Sequence, residues 1–182
     1  MESTIETKDL QLLPFRPEFI LALIEEPDRF EELVGFPAAP GLREFFVSGE
    51  VSPEWLASLR TVSNSDPWQF GFAVVNRETR NVVGSGGFKG PPDADGMVEI
   101  AYGIVPLFEG RGFATQVATA LTAHASGNES VRLVRAHTMP ERNASNNVLR
   151  KCGFQYVGEV TDPDDGLVWR WEKLPKEAIM RK

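Results

Sequence analysis

The chain has 182 residues, of which 42% are hydrophobic and 25% charged, values typical of a soluble globular domain and not of a disordered or fibrous chain. Its formal net charge is −7 at pH 7 and its basic residues are not gathered in one stretch, which disfavours nucleic acid as a partner. The longest uninterrupted apolar run, residues 19–24, is far shorter than the roughly 20 residues of a membrane-spanning helix.

Few residues could supply metal or disulfide chemistry. Cys152 has no second cysteine to pair with, and with only His124 and His137 beside it the chain offers too few ligands for a structural zinc site. Residues 1–8 lack the basic start and the apolar stretch of a secretory signal. We therefore expect a cytoplasmic protein without a metal, folded as one domain over residues 1–182.

The first 65 residues are predicted to be mostly helical. A short strand over 10–15 precedes a helix that begins at Pro17. A second helix is predicted over 28–34, with Asp28 as its N-cap. Ser52 followed by Pro53 predicts the start of a third helix.

From residue 68 the hydrophobic period changes from about 3.6 to two, which is typical of strands. Alternating apolar residues predict strands over 68–76, 82–88 and 97–105, joined by polar turns into an antiparallel meander. The glycines of the second strand indicate a bulge or the close approach of another segment.

The remaining chain alternates helices and strands. Helices are predicted over 112–125 and 144–152, and strands over 131–138, 155–160 and 167–174. The strands on either side of the helix over 112–125 are expected to lie parallel, as in right-handed crossover units. The pattern predicts an α+β (mixed α/β) fold, with a mostly antiparallel sheet of about six or seven strands flanked by helices. The strand that carries Trp169 and Trp171 is expected at an exposed end of the sheet, where it could serve a homodimer.

The sequence EGRGFAT at 109–115 is a glycine-rich turn that leaves a strand and opens directly into a helix. Glycines allow positive φ, and the first N–H groups of a helix have no internal partners, so such a turn binds phosphate oxygens. The Walker and dinucleotide-binding patterns are absent. The predicted anion-binding residues are Gly110, Arg111, Gly112, Phe113, Ala114 and Thr115.

This turn resembles the cofactor-binding motif of the GCN5-related N-acetyltransferase (GNAT) family, which reads Gln/Arg-x-x-Gly-x-Gly/Ala at the start of a helix. Here the matching run is EGRGFA, so Glu109 stands where the family has Gln or Arg. VEIAYGI at 98–104 and PERNASNNVLRKCGF at 140–154 strengthen the resemblance and favour the branch of Rim-type ribosomal-protein N-acetyltransferases.

The resemblance implies acetyl transfer from acetyl-coenzyme A to an amine, on a protein or peptide N-terminus or on a small molecule. It places the pyrophosphate on the amides of residues 111–115 and the pantetheine along Ile104 and Val105, like an added strand. The resemblance also assigns a cofactor contact to Asn143. A bulge near 103–105 is expected to splay this strand from its parallel neighbour. Residues 1–65 would form the acceptor side and 66–182 the cofactor-binding core.

Two residues are candidates for the base that deprotonates the amine, whose ordinary pKa is about 10. Glu99 matches a glutamate common in this branch, and His137, at the end of a strand, is the alternative. Many family members assist the departing thiolate with a tyrosine four residues before the Gly-Phe pair, a position occupied here by Leu149. Ser145 matches the serine of the Rim-type branch, and it could instead cap the following helix. A catalytically silent acyl-coenzyme A-binding module is the alternative function.

Overall fold

An eight-stranded sheet organises residues 4–48 and 51–175, the part of the chain that this computed structural model describes. Its strands are β1 (Ile5–Glu6), β2 (Leu10–Pro14), β3 (Phe72–Asn76), β4 (Val82–Phe88), β5 (Met97–Ile104), β6 (Leu133–Thr138), β7 (Gln155–Asp162) and β8 (Gly166–Lys173). Their spatial order is β1-β2-β3-β4-β5-β6-β8-β7, and every pair is antiparallel except β5–β6. The predicted mixed fold is confirmed, and the strand number is higher than predicted because the two-residue β1 adds one.

Helices flank this sheet: α1 (Pro17–Glu25), α2 (Pro27–Val34), α3 (Glu44–Val47), α4 (Pro53–Thr61), α5 (Pro67–Phe70), α6 (Phe113–Ser126) and α7 (Ala144–Lys151). The predicted start of α4 is confirmed, because the Ser52 hydroxyl accepts a hydrogen bond from Trp55 N–H. The prediction that Asp28 caps α2 is wrong, since the helix already begins at Pro27. Within the described ranges, no helix has the length and apolar character needed to cross a membrane.

The predicted strand over 68–76 is wrong at its start, because Pro67–Phe70 form α5 instead. The Asp66 carboxylate accepts a hydrogen bond from Trp68 N–H at 3.0 Å, and Pro67 occupies the first helical turn. This local cap outweighs the alternation of aromatic residues, and β3 begins only at Phe72.

β5 and β6 are parallel, as predicted, but they pair over only a short stretch. Their register runs from Met97 opposite Leu133 to Glu99 opposite Arg135. Beyond Glu99 the pairing stops, while β5 keeps an unbroken antiparallel register with β4 as far as Ile104. The predicted bulge near 103–105 is therefore wrong, and a cleft opens between β5 and β6 without it.

α6 packs against β4 and β5 beside this cleft. Its predicted inner face is confirmed, since Val117, Ala118, Leu121 and Ala125 are buried. A Cβ atom at Gly86 of β4 would lie 2.7 Å from Val117 Cγ1. A glycine in β4 is thus needed for the close approach of α6, which is one of the two readings that the sequence allowed.

β7, and not β8, is the edge strand on this side of the sheet. The prediction that Trp169 and Trp171 lie on an exposed end strand is therefore wrong. β8 lies between β6 and β7, and the buried Trp171 indole donates to Thr138 Oγ1 at 3.1 Å. A homodimer stays a prediction, and β7, which exposes Tyr156 and Val157, is one of the two edge strands of the sheet.

Candidate active site

The glycine-rich turn forms the N-terminal end of α6. Gly110 and Gly112 have φ values of 72° and 79°, in the left-handed region, and at both positions the space for a Cβ atom is open. Gly112 is the N-cap residue, and no side chain among the described residues caps the helix. The N–H groups of the first turn are therefore left without helical partners at the positive end of the helix dipole, where they can bind an anion.

A cavity of about 540 Å³, called here the turn cavity, extends from this turn along β5 and α7. The predicted cofactor residues that line it are Ile104, Gly110, Gly112, Phe113, Ala114, Thr115 and Ser145. Sequence reasoning missed Lys151, which also lines it and adds a positive charge close to the Gly-Phe pair. Glu109 contributes a carboxylate to the same lining.

The edge of β5 that faces β6 supplies backbone groups to this cavity. Val105 N–H donates to Val83 O at 2.9 Å, and Glu99 O accepts from Lys89 N–H at 2.9 Å, so both point towards β4. Because backbone groups alternate along a strand, those of Tyr102 and Ile104 point to the opposite edge, where the pairing with β6 has ended. This arrangement suits the predicted contact of Ile104, whereas the N–H of Val105 is already bonded within the sheet.

The Arg111 side chain does not line the turn cavity. Its guanidinium lies 4.9 Å from the ring centroid of Phe108 and donates to Leu107 O at 3.3 Å. Cation–π stacking thus holds the side chain against the turn, and its charge still contributes to the positive potential there.

Asn143 also lies outside the turn cavity. Its side chain caps α7 by accepting a hydrogen bond from Asn146 N–H at 3.1 Å, and it lines a separate polar cavity with Arg142. Because Asn143 is the cap, the capping role that the sequence allowed for Ser145 is not used.

A second cavity of about 470 Å³, called here the aromatic cavity, adjoins the first. Its walls include the phenylalanines Phe15, Phe45, Phe46, Phe70 and Phe88. The two cavities share Phe45, Tyr102 and Gly103. Two molecules bound one in each cavity would therefore meet at these three residues.

Tyr102 is a site residue that sequence reasoning missed, because a strand pattern does not reveal what a hydroxyl faces. Its hydroxyl is buried and has no hydrogen-bond partner within the described part of the chain. Burial raises the pKa of Tyr102, as does the sulfur of Cys152, while the nearby Ser145 hydroxyl acts in the opposite direction. The hydroxyl therefore keeps its proton at neutral pH and can donate it in a hydrogen bond.

Glu99 and His137, the two candidate bases, form one hydrogen-bonded pair. Their side chains are 12% and 7% exposed, and His137 Nδ1 lies 3.0 Å from Glu99 Oε1. Arg170 Nε–H donates to His137 Nε2 at 3.4 Å, so in the neutral imidazole the proton lies on Nδ1 and is donated to Glu99. Both ring nitrogens are engaged, whereas the contacts of the Glu99 carboxylate with described side chains end on Oε1, so its Oε2 is the better proton acceptor.

Neither Glu99 nor His137 is part of the lining of the turn or aromatic cavity. The alternation of β5 places Glu99 on the same face as Ala101, which does line the aromatic cavity. Two residues along a strand correspond to about 7 Å, a gap that a water molecule can bridge.

Lys89 also binds Glu99, a contact that no motif in the sequence indicates. Its ammonium lies 2.9 Å from Glu99 Oε1 and 3.2 Å from Asp165 Oδ2. Burial opposes the charge of Lys89, but hydrogen bonds and charges from Glu99 and then Asp165 outweigh it and raise the pKa of Lys89. These carboxylates thus form a site that already holds an alkylammonium group.

Asp162 extends this negative region, with Oδ2 at 3.8 Å from His137 Nδ1. Hydrogen bonds from the backbone N–H groups of Asp165 and Asp164 lower the pKa of Asp162. Despite this cluster, the described residues contain no group of three or more His, Cys, Asp or Glu side chains placed to hold a metal ion.

A family model described as "Acetyltransferase (GNAT) domain" matches residues 16–155. The chain therefore belongs to the GNAT acetyltransferase family, which confirms the resemblance found in the sequence. The uncharacterized N-acetyltransferase YjdG of Bacillus subtilis (strain 168) is 27% identical over 111 residues, which cover 61% of this chain and 64% of YjdG. The chain thus matches less than two thirds of the length of this curated relative.

Solved structures with the same fold include two ribosomal-protein acetyltransferases. The ribosomal-protein-S5-alanine acetyltransferase from Vibrio fischeri has a TM-score of 0.67 at 13% identity, over 97% of this chain and 98% of that one. RimL, a ribosomal L7/L12 alpha-N-protein acetyltransferase in complex with coenzyme A, has a TM-score of 0.65 at 15% identity, over 94% and 98%. At these identities the likeness concerns the fold.

Proposed function

We propose that this protein is an acetyl-coenzyme A-dependent N-acetyltransferase that acts on a primary amine. The observation that carries the proposal is the junction of the turn cavity, which has an anion-binding end, with the aromatic cavity at Tyr102 and Gly103. Membership of the GNAT family supports it.

The residues of the turn cavity fit coenzyme A. The N–H groups of Phe113, Ala114 and Thr115 suit the pyrophosphate, and Lys151 adds a cation to the same cavity. The backbone edge at Ile104 suits the amides of pantetheine, which would pair like an added strand. Acetyl-coenzyme A supplies the thioester, and the chain binds it, orients the amine and accepts the amine's proton.

Glu99 is the proposed base. An alkylammonium group with an ordinary pKa of about 10 must lose a proton before its nitrogen can attack. Glu99 accepts this proton through a water molecule, because it lies one alternation beyond Ala101 at the wall of the aromatic cavity. His137 donates to the carboxylate and holds it in place, which makes His137 a positioning residue.

The proposed acceptor is a protein or peptide N-terminus or a small-molecule amine. The names of the two Rim-type structures, which refer to ribosomal proteins, favour an N-terminus. Phe15, Phe45 and Phe46 line the aromatic cavity, which supports the assignment of residues 1–65 to the acceptor side and 66–182 to the cofactor-binding core. The carboxylates around Lys89 favour a cationic acceptor.

A catalytically silent module that binds acyl-coenzyme A is the second candidate, favoured by Leu149 at the position of the family's tyrosine. The two are separated by measuring thiol release from acetyl-coenzyme A with a panel of peptide N-termini and small amines. Release that depends on an amine and yields its acetylated form supports the enzyme. Calorimetric binding of coenzyme A without release on the whole panel would favour the silent module.

Ser145→Ala is expected to slow acetyl transfer roughly 10- to 100-fold, the effect of one lost hydrogen bond to a charged group. Binding of coenzyme A should change little, because the amides of α6 are untouched. The matched control is Ser126→Ala, which removes a hydroxyl that donates to Thr122 O near the other end of α6. Equal steady-state rates in Ser145→Ala and the parent protein would remove Ser145 from the mechanism.

A further inference from the structure

The Tyr102 hydroxyl stands out among the polar groups of the described residues. It is one of two buried side-chain polar atoms without a hydrogen-bond partner there, the other being Asn146 Oδ1. Buried hydroxyls nearly always have a partner, since an unpaired one costs stability. A group of this kind beside a cavity points to a partner supplied by a ligand.

The place of Tyr102 in the cleft identifies which part of a ligand it would meet. Ile104 lies nearer the glycine turn, and Tyr102 is two residues, or about 7 Å, further along β5 away from it. Tyr102 is also shared by the two cavities. Tyr102 therefore lies where the donor and the acceptor would meet, and its hydroxyl lies near Ser145 and Cys152, at the two ends of α7.

We propose that the Tyr102 hydroxyl donates a hydrogen bond to the sulfur atom of coenzyme A, from β5 instead of from the α7 position held by Leu149. This inference rests on the proposed function. Leu149 is fully buried and has no donor, whereas Ser145 lies beside Tyr102 on the same cavity. Ser145 thus places a second hydroxyl on the same part of the cavity wall.

The proposed contact stabilises the charge that develops during transfer. Glu99 first takes one proton from the ammonium group. The amine nitrogen then forms a bond to the acetyl carbon, the carbon–sulfur bond breaks with its electron pair left on sulfur, and the second surplus proton of the nitrogen passes to solvent. The sulfur is held by the Tyr102 hydrogen bond and becomes a thiol by taking a proton from solvent. Tyr102 keeps its own proton throughout, in keeping with its raised pKa.

The test is the pKa of the coenzyme A thiol when bound, read from the ultraviolet absorbance of the thiolate as the pH is changed. A free thiol of this kind has a pKa of about 8.5. We expect the bound thiol to titrate lower in the parent protein, and Tyr102→Phe to raise its pKa by roughly one to two units, as for a hydrogen bond to a charged group. Tyr156→Phe, at an exposed ring on β7, is the matched control and should behave like the parent.

The outcomes separate this inference from the proposed function. Absence of coenzyme A binding in the parent would overturn both. If coenzyme A binds and its thiol has the same pKa in the parent and in Tyr102→Phe, only the role of Tyr102 is overturned. The same holds if Ser145→Ala raises the thiol pKa and Tyr102→Phe does not.

A second measurement covers the case in which Tyr102→Phe does not fold. The chain has two tyrosines, so fluorotyrosine in a Tyr156→Phe background labels Tyr102 alone. Its fluorine resonance should move when coenzyme A binds, and the more acidic phenol should lower the thiol pKa further. An unmoved resonance with saturating coenzyme A would overturn the contact.

Discussion

Glu99→Gln is expected to slow acetyl transfer by roughly 100- to 10,000-fold, the range typical of a lost general base. The amide keeps the shape of the side chain but cannot accept the proton of the incoming ammonium. Affinity for coenzyme A, measured by calorimetry, should barely change, because Glu99 is not part of the turn cavity. The deficit should shrink as the pH rises through the pKa of the acceptor amine, about 8 for an N-terminus and about 10 for an alkylamine, since free amine then needs no base.

Glu172→Gln is the matched control for the loss of a partly buried ion pair. Glu172 Oε1 lies 2.8 Å from Arg135 Nη2, with both side chains mostly covered, but on β8 and away from both cavities. Its variant should keep the parent rate even if its free energy of unfolding falls. A Glu99→Gln enzyme with an unchanged maximal rate and a raised Michaelis constant would assign Glu99 to binding the ammonium, and proton transfer to another group.

Gly112→Asp is expected to weaken coenzyme A binding by roughly 100-fold, equivalent to about 3 kcal/mol. The carboxylate would stand at the N-cap of α6, where it can accept hydrogen bonds from the N–H groups that would otherwise bind the pyrophosphate. It would also repel the negative charge of the pyrophosphate. Space for the side chain is open, so the effect comes from charge and competition for donors and not from a clash. Isothermal titration calorimetry measures it directly.

Gly35→Asp controls for the backbone strain of this substitution. Gly35 has φ 82°, close to the 79° of Gly112, and equally open space, but it ends α2. Both variants force a non-glycine residue into the left-handed region. Gly35→Asp should lose more stability to urea, because its carboxylate stands at the negative end of α2, whereas that of Gly112→Asp accepts N–H groups of α6. Equal coenzyme A affinity in Gly112→Asp and Gly35→Asp would place the phosphates elsewhere.

Much of the fold follows from local sequence patterns. The period of two in residues 82–88 and the helical pattern ending at Gly153 require no long-range knowledge, and both elements are where they were predicted. The error at 68–70 arose because aromatic alternation and a capping signal compete there. Asp66 followed by Pro67 is the same kind of helix start as Ser52 followed by Pro53, and the cap wins over the alternation.

The glycine turn was predictable as an anion site because its chemistry lies in consecutive backbone groups. The side chains around it were harder to place. Asn143 turned out to cap α7, and Arg111 to stack on Phe108, because each found a local partner that the spacing of the motif does not reveal.

The pairing of Glu99 with His137 depends on tertiary structure. The two residues are 38 positions apart, and only the parallel register of β5 with β6 makes them neighbours. Tyr102 shows the same limit, since its sequence neighbours indicate a strand while the burial of its hydroxyl depends on packing against α6 and α7. Contacts of this kind depend on strand register and on helix packing. Both result from the whole chain and cannot be predicted from a local sequence pattern.

The central claim is that the glycine turn and the β5 edge bind coenzyme A. The amide NMR spectrum of the isotope-labelled protein, recorded during titration with coenzyme A, tests it most directly. If the turn and the open β5 edge bind the cofactor, the resonances of Phe113, Ala114, Thr115 and Ile104 should move together, with a midpoint equal to the calorimetric dissociation constant. Gly112→Asp should shift that midpoint to higher concentration. Resonance changes confined to the polar cavity around Arg142 and Arg150, with those of the turn unmoved, would contradict the account.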